Sequence, residues 1–169
     1  QHAHGCALGA RWLAKRCGYL TIADQAYFGG LLHDIGKFVL LAAMQTIAGE
    51  KDLNKNFSEA LVREVISTLH VEQGLRLFDE WHLPEVYRAA VLEHHAEELE
   101  TQDIMLAMVK LANRGCRKIG LGLDKNPDMA LPTTAEAQFL GIDEIALAEF
   151  EIMLEDRFFC PRVVTVGEA

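Results

Sequence analysis

His33 and Asp34 stand side by side in the segment Gly30-Leu31-Leu32-His33-Asp34-Ile35-Gly36-Lys37, at the end of an apolar run. An imidazole and a carboxylate buried together need polar partners, and a divalent cation satisfies both at once. His94 and His95 form a second adjacent pair at another predicted helix end, and His2 and His70 lie on further predicted helices. Neighbouring helical residues point about 100° apart. At a helix terminus that constraint relaxes, so each pair can turn both side chains toward one ion. Buried without a cation, such groups carry a desolvation cost on the order of several kcal/mol. The chemistry this pattern offers is therefore metal binding. His4 shares no helical face with His2, and His82 abuts the turn at Pro84, so both read as surface or structural residues.

The elements that must position these residues are all helical. Cys6, Gly9, Leu13 and Cys17 recur at helical spacing, predicting a helix over 3–17 whose face His2 extends backward. Thr21 is placed to cap a helix over 22–33. Gly29 and Gly30 within it cost about 1 kcal/mol each, so another backbone is expected to pass close. Gly36 reads as a helix stop, followed by a short helix over 38–47 and a polar connector over 48–56. Ser58 caps a long predicted helix reaching Glu80. Gly74, one turn after His70, leaves room for a neighbour. Pro84 suits the first position of a helix over 85–95, with a polar turn over 97–102 after it. A helix over 103–119, a short one capped by Thr133 or Thr134 and ending at Leu140, and one over 142–158 complete the pattern, with the loosest connection at 120–132. Only 163–166 alternates like a strand, and it is too short to count. The expected fold class is all-α, a compact multi-helix bundle.

Composition sets further bounds. The 169 residues carry a formal net charge of −9, which disfavours nucleic acid and anionic membranes as partners. The small basic cluster Arg114, Arg117 and Lys118 reads as a solvated helix face. The longest unbroken apolar run, 38–44, reads as a core helix and not as a membrane span. Cys6, Cys17, Cys116 and Cys160 are scattered, with no Cys-x-x-Cys pair. They read as core thiols in a reducing cytoplasm. The chain opens directly into a helical pattern without a cap, as expected for part of a longer protein.

The motifs together resemble the HD superfamily of metal-dependent phosphohydrolases, and most closely its HDOD group of bacterial signalling output domains. The matching pieces are His2-Ala3-His4-Gly5-Cys6-Ala7 with Arg11-Trp12-Leu13-Ala14, the segment 30–37, and His70-Val71-Glu72-Gln73-Gly74. Trp81-His82-Leu83-Pro84, His94-His95 and Leu111-Ala112-Asn113 follow in order. The resemblance spans residues 2–123. It implies a single domain with an HD-type core over 1–123 and a C-terminal loop and helix over 124–169 packed on that core. It further implies His2, His33 and Asp34 as metal ligands, with Asp34 bridging if two ions bind. His70, His94 and His95 correspond to the additional ligands of the related HD-GYP phosphodiesterases, which hydrolyse cyclic di-GMP. Lys37 corresponds to a group facing substrate phosphate, where a point charge stabilises a phosphoryl oxygen. The ion implied is iron, manganese, nickel, zinc or magnesium, in a mononuclear, binuclear or degenerate site.

The chain departs from that pattern twice. The distant Asp of the superfamily falls at Asn113, a neutral and weaker donor that leaves one negative charge fewer. The Gly-Tyr-Pro segment of the phosphodiesterases is replaced by Ala96-Glu97-Glu98, acidic residues that repel an anionic substrate. The resemblance thus implies a regulatory output module, acting with receiver or sensor domains, ahead of the alternative. That alternative is an active phosphohydrolase, with Asp34 and Lys37 as catalytic residues and a nucleotide or cyclic dinucleotide as ligand. HDOD modules also carry a further N-terminal helical layer, which these residues do not include.

Overall fold

The computed structural model describes residues 1–49, 57–97 and 102–160. The described residues form α1 (His2–Arg16), α2 (Ala23–Leu32), α3 (Ile35–Ala48), α4 (Glu59–Glu80), α5 (Arg88–Glu93), α6 (Ile104–Lys118), α7 (Ala135–Leu140) and α8 (Glu144–Phe158). Single 3₁₀ turns precede α2, α5 and α7. No strand occurs among the described residues, and the fold is all-α.

Local chemistry starts several of these helices. Ser58, Asp103, Thr134 and Asp143 each accept a hydrogen bond from a first-turn amide through the side chain, satisfying a donor that has no partner within the helix. Thr21 does not cap α2, which follows the 3₁₀ turn Leu20–Ile22 without a side-chain cap. Helix α5 is also shorter than expected. Pro84 starts a 3₁₀ turn (Glu85–Tyr87), and the α-helix stops at Glu93, so His94 and His95 follow its last turn. The polar connector and the acidic turn fall mainly on 50–56 and 98–101, and the short alternating stretch on 163–166. Those residues lie outside the described ones, while Ala48 and Gly49 of the expected connector end α3.

Helix α6 sits at the centre, with α1, α2, α5, α7 and α8 against it. Its Met108, Leu111 and Ala112 meet Leu13 of α1 and Phe150 and Leu154 of α8 in one apolar core. Removing such apolar area from water is the main stabilising term. Helices α3 and α4 pair as an arm beside this core. The span Leu20–Ala48 is long and apolar enough to cross a membrane by length and composition. The chain turns inside it, at His33 and Asp34, where both side chains are buried.

Two close approaches set the geometry of that turn. Gly30 of α2 lies on the backbone of α1, where a Cβ would stand 2.6 Å from the Cys6 carbonyl oxygen. Gly36 is not a helix stop. It lies in the first turn of α3, pressed on α4, where a Cβ would stand 1.8 Å from the His70 carbonyl oxygen and 2.6 Å from the Gly74 amide nitrogen. The chain turns at His33-Asp34 instead, and the bare α3–α4 crossing brings Asp34 to His70. Backbone on both sides leaves nothing flexible to yield. Gly36→Ala is therefore expected to destabilise the domain by about 3 kcal/mol or more, the upper range for overpacking. The check is denaturant unfolding; an unchanged midpoint would contradict the crossing.

Candidate metal centre

Four imidazoles of the centre are each oriented by a backbone carbonyl. His2 Nδ1–H donates to Leu121 O at 2.7 Å, His33 Nδ1–H to Gly30 O at 2.7 Å and His70 Nδ1–H to Ile66 O at 2.7 Å. His94 Nδ1–H is shared between Ala90 O and Val91 O, both at 3.0 Å. A carbonyl oxygen can only accept, so the proton of each neutral ring sits on Nδ1 and the lone pair on Nε2. For His33, His70 and His94 the carbonyl belongs to the preceding helical turn, so helix formation itself fixes the tautomer.

The four Nε2 lone pairs converge on Asp34. Its Oδ2 lies 3.3 Å from His33 Nε2 and 3.6 Å from His2 Nε2. Its Oδ1 lies 3.4 Å from His94 Nε2 and 3.8 Å from His70 Nε2. His70 Nε2 is 3.3 Å from His94 Nε2 and 2.9 Å from His95 Nε2. Lone pair thus faces lone pair between His70 and His94 and faces carboxylate at Asp34, while a His95 Nε2–H is placed to donate to the His70 lone pair. His33 Nε2 and Asp34 Oδ1 are buried with no hydrogen-bond partner among the described residues. Such groups carry a desolvation cost unless a cation or proton lies between them. Lys37 supplies one cation on one side, its Nζ 2.8 Å from Asp34 Oδ2.

Burial sets the protonation of the rings. It lowers the pKa of His2, His70 and His94, with His33 adding to the effect at His2. His95 is exposed on its outer side, yet burial of the ring and the neighbouring His94 and His70 push it down to about 3. Burial opposes ionisation of Asp34, but with the ring lone pairs turned toward it, it is the Lys37 ammonium 2.8 Å from Oδ2 that holds its carboxyl below the ordinary value. His2, His70, His94 and His95 are therefore neutral imidazoles around an ionised carboxylate, the state that binds metal.

A pH prediction follows. The unfolded imidazoles titrate near 6.5, above their folded values, so below that pH the unfolded chain binds more protons. Stability of the metal-free protein should fall as pH drops from about 7 toward 5. Asp34, held low, contributes loss only at much lower pH. Urea unfolding at pH 7.5 and 5.5 checks this, and an equal or higher midpoint at pH 5.5 would contradict it.

The donors fit a metal ion. Ligand atoms of Asp34, His70, His94 and His95 lie within 4.8 Å of one another, as do those of His2, Cys6 and His33. Of the residues expected from the sequence, His2, His33, Asp34, His70, His94 and His95 are brought together. Asn113 joins them through Oδ1, 3.1 Å from His2 Nε2. His4 points elsewhere, with its ring against Phe158. Sequence reasoning missed Cys6, one helical turn after His2, whose Sγ is 3.6 Å from His2 Nε2. It also missed the loop after α6, whose Leu121 orients His2. The signal for Cys6 was its i, i+4 spacing from His2.

Two cavities of about 360 and 400 Å³ open beside Lys37 and His95, bounded by Arg117 and Arg63 respectively and sharing Leu123 and Asp124. The family model of the HDOD domain matches residues 1–97. The chain belongs to the HDOD family. Among solved structures it is similar to an HDOD domain protein of unknown function from Geobacter sulfurreducens, at 21% identity and a TM-score of 0.59. That similarity covers 94% of this chain and 61% of the other, so the chain spans less than two thirds of that relative. A comparison with curated proteins gives no match. The HDOD match ends before α6, so Asn113 and the Leu121–Asp124 loop lie beyond it.

Proposed function

We propose that this HDOD domain is a regulatory output module of a bacterial cytoplasmic signalling protein, organised around a divalent metal ion. The observation that carries the reading is the convergence of imidazole lone pairs from α1, the α2–α3 turn, α4 and the end of α5 on one buried carboxylate. An ion held there ties together α1, the α2–α3 turn, α4 and the end of α5. Its occupancy couples to their arrangement, which is the property a relay module needs. His70, His94, His95 and Asp34 Oδ1 are the donor set left open by Lys37. Among the described residues, 124–160 act as a C-terminal layer packed on the core that precedes them. Receiver or sensor domains are the partners, and Phe38 and Ile47 of α3, both exposed, are apolar positions open to them.

The alternative, a phosphohydrolase acting on a nucleotide or cyclic dinucleotide, is favoured by the two cavities and by Arg63, Arg117 and Lys37 at their walls. When bound, a divalent ion supplies Lewis acidity and a nucleophile from water near neutral pH. Lys37 would then hold a phosphoryl oxygen. Against it stands the existing commitment of these cations. Arg63 donates to Leu123 O at 3.0 Å and pairs with Glu59, Arg117 donates to Asp124 O at 3.4 Å, and Lys37 pairs with Asp34. Asn113 also supplies no charge.

Elemental analysis and a hydrolysis screen test both readings. Protein purified without added metal is expected to carry a stoichiometric divalent ion. It is expected to hydrolyse cyclic dinucleotides, nucleotides and a generic phosphodiester no faster than His33→Ala or Asp34→Ala. Turnover that disappears in both variants would establish the alternative, and absence of any bound or bindable metal would defeat the proposed centre.

A further inference from the structure

Cys6 lies beneath the side of the centre that faces α1. It is fully buried, and its Sγ is 3.6 Å from His2 Nε2. It shares a face of α1 with His2, since residues four apart in a helix stack one above the other. The ring of His33 is buried, and its Nε2 is aimed into the same space without a hydrogen-bond partner. Asp34 Oδ2 completes the group at 3.3 Å from His33 Nε2 and 3.6 Å from His2 Nε2. Next to them Asn113 offers a neutral amide oxygen 3.1 Å from His2 Nε2.

These separations have a simple reading. Zinc binds imidazole nitrogen and carboxylate oxygen at about 2.0–2.1 Å and thiolate sulfur at about 2.3 Å, in a tetrahedron. Tetrahedral angles then place two N or O donors about 3.3–3.4 Å apart and a nitrogen and a sulfur about 3.6 Å apart. Three of the six donor pairs lie close to these values, His33 Nε2–Asp34 Oδ2 at 3.3 Å, His2 Nε2–Asp34 Oδ2 at 3.6 Å and His2 Nε2–Cys6 Sγ at 3.6 Å, and the His2, Cys6 and His33 donor atoms lie within 4.8 Å of one another.

We propose that Cys6 Sγ is a further donor to an ion held by His2 Nε2, His33 Nε2 and Asp34 Oδ2, its thiolate supplying the negative charge that neutral Asn113 lacks and making that site thiophilic. Soft sulfur selects zinc, or cobalt as its spectroscopic stand-in, over magnesium or manganese. In the metal-free state the Cys6 thiol donates to the His2 Nε2 lone pair. As the ion enters, the sulfur–hydrogen bond breaks, the proton leaves to solvent, and the sulfur electron pair turns to the ion. Lys37 retains one lone pair of Asp34 Oδ2 from the solvent side. The inference rests on the proposed metal centre, with Asp34 placed between two ions: Oδ2 toward His2, His33 and Cys6, and Oδ1 toward His70, His94 and His95.

Cobalt(II) titration of the metal-stripped full chain tests it. The expected result is two bound ions, with a thiolate-to-cobalt charge-transfer band in the near ultraviolet. Cys6→Ser is expected to lose the band and one ion. His70→Ala is expected to lose the other ion and keep the band. X-ray absorption on the wild-type cobalt protein should find one sulfur neighbour, a measurement independent of whether Cys6→Ser folds. Cobalt bound with no band and no sulfur neighbour overturns the Cys6 site and leaves the metal centre standing. A band that survives Cys6→Ser, or that vanishes only in Cys116→Ser, also overturns it. Failure to bind cobalt at all defeats the centre itself.

Discussion

Asp34→Asn is expected to cost at least about a hundredfold in metal affinity while leaving the metal-free protein as stable as the wild type or more so. The two effects have opposite signs for one reason. The Asp34 carboxylate faces His33 Nε2 at 3.3 Å and His94 Nε2 at 3.4 Å, and those nitrogens present lone pairs because their Nδ1 protons are given to Gly30 O and to Ala90 O and Val91 O. An amide in the same place turns N–H donors to one of those two sides and keeps an uncharged oxygen toward the other, so it partly mends the metal-free centre. Toward a divalent ion it has lost a full charge at a buried position, where charge is poorly screened. The partner it gives up is the Lys37 ammonium, whose side chain is 21% exposed and can turn to water. Isothermal titration with zinc and urea unfolding of the stripped protein measure the two halves. A variant that is several kcal/mol less stable without metal would refute the tautomer assignment. One that still binds zinc as tightly would refute the role of Asp34.

Lys37→Met should act in the other direction and tighten metal binding by at least about tenfold. The Lys37 ammonium sits 2.8 Å from Asp34 Oδ2, where it partly stands in for a cation. An incoming ion meets that charge at close range. Two unit charges 4 Å apart interact by about 4 kcal/mol at an effective dielectric near 20. Access of the lysine tip to solvent reduces the figure, and tenfold corresponds to about 1.4 kcal/mol. The metal-free variant should lose stability, since Asp34 then has no ammonium beside it. Weaker binding in Lys37→Met would mean the lysine supports the ion instead of competing with it. The same substitution separates the functional readings. A phosphohydrolase would lose turnover with the phosphate-facing charge, whereas a metal-organised relay module would hold its ion more firmly.

Much of the molecule follows from local chemistry that the chain carries openly. Ser58 and Thr134 begin helices because a short polar side chain next to an apolar periodic run can satisfy a first-turn amide, and that depends only on neighbours in sequence. The all-α class and the paired ligand candidates His33-Asp34 and His94-His95 were legible for the same reason, whereas the ligand role of His2 and His70 came from the resemblance. Periodicity marks the helices, and adjacent polar pairs at their ends are costly to bury without a purpose. Gly36 shows the limit. A glycine after a helical run reads as a stop, but here it is the bare spot on which α4 crosses, with the His70 carbonyl where a Cβ would stand. That fact depends on a partner distant in sequence.

The chain by itself determined which residues could serve as donors, because donor chemistry belongs to the side chain. Only the tertiary structure decided which nitrogen each imidazole turns inward, that Asp34 lies between two groups of donors, and that Cys6 and Leu121 join them. Those outcomes come from carbonyls on other turns and from the stacking of α1 against α2 and α6, contacts between segments far apart in sequence that no local pattern encodes.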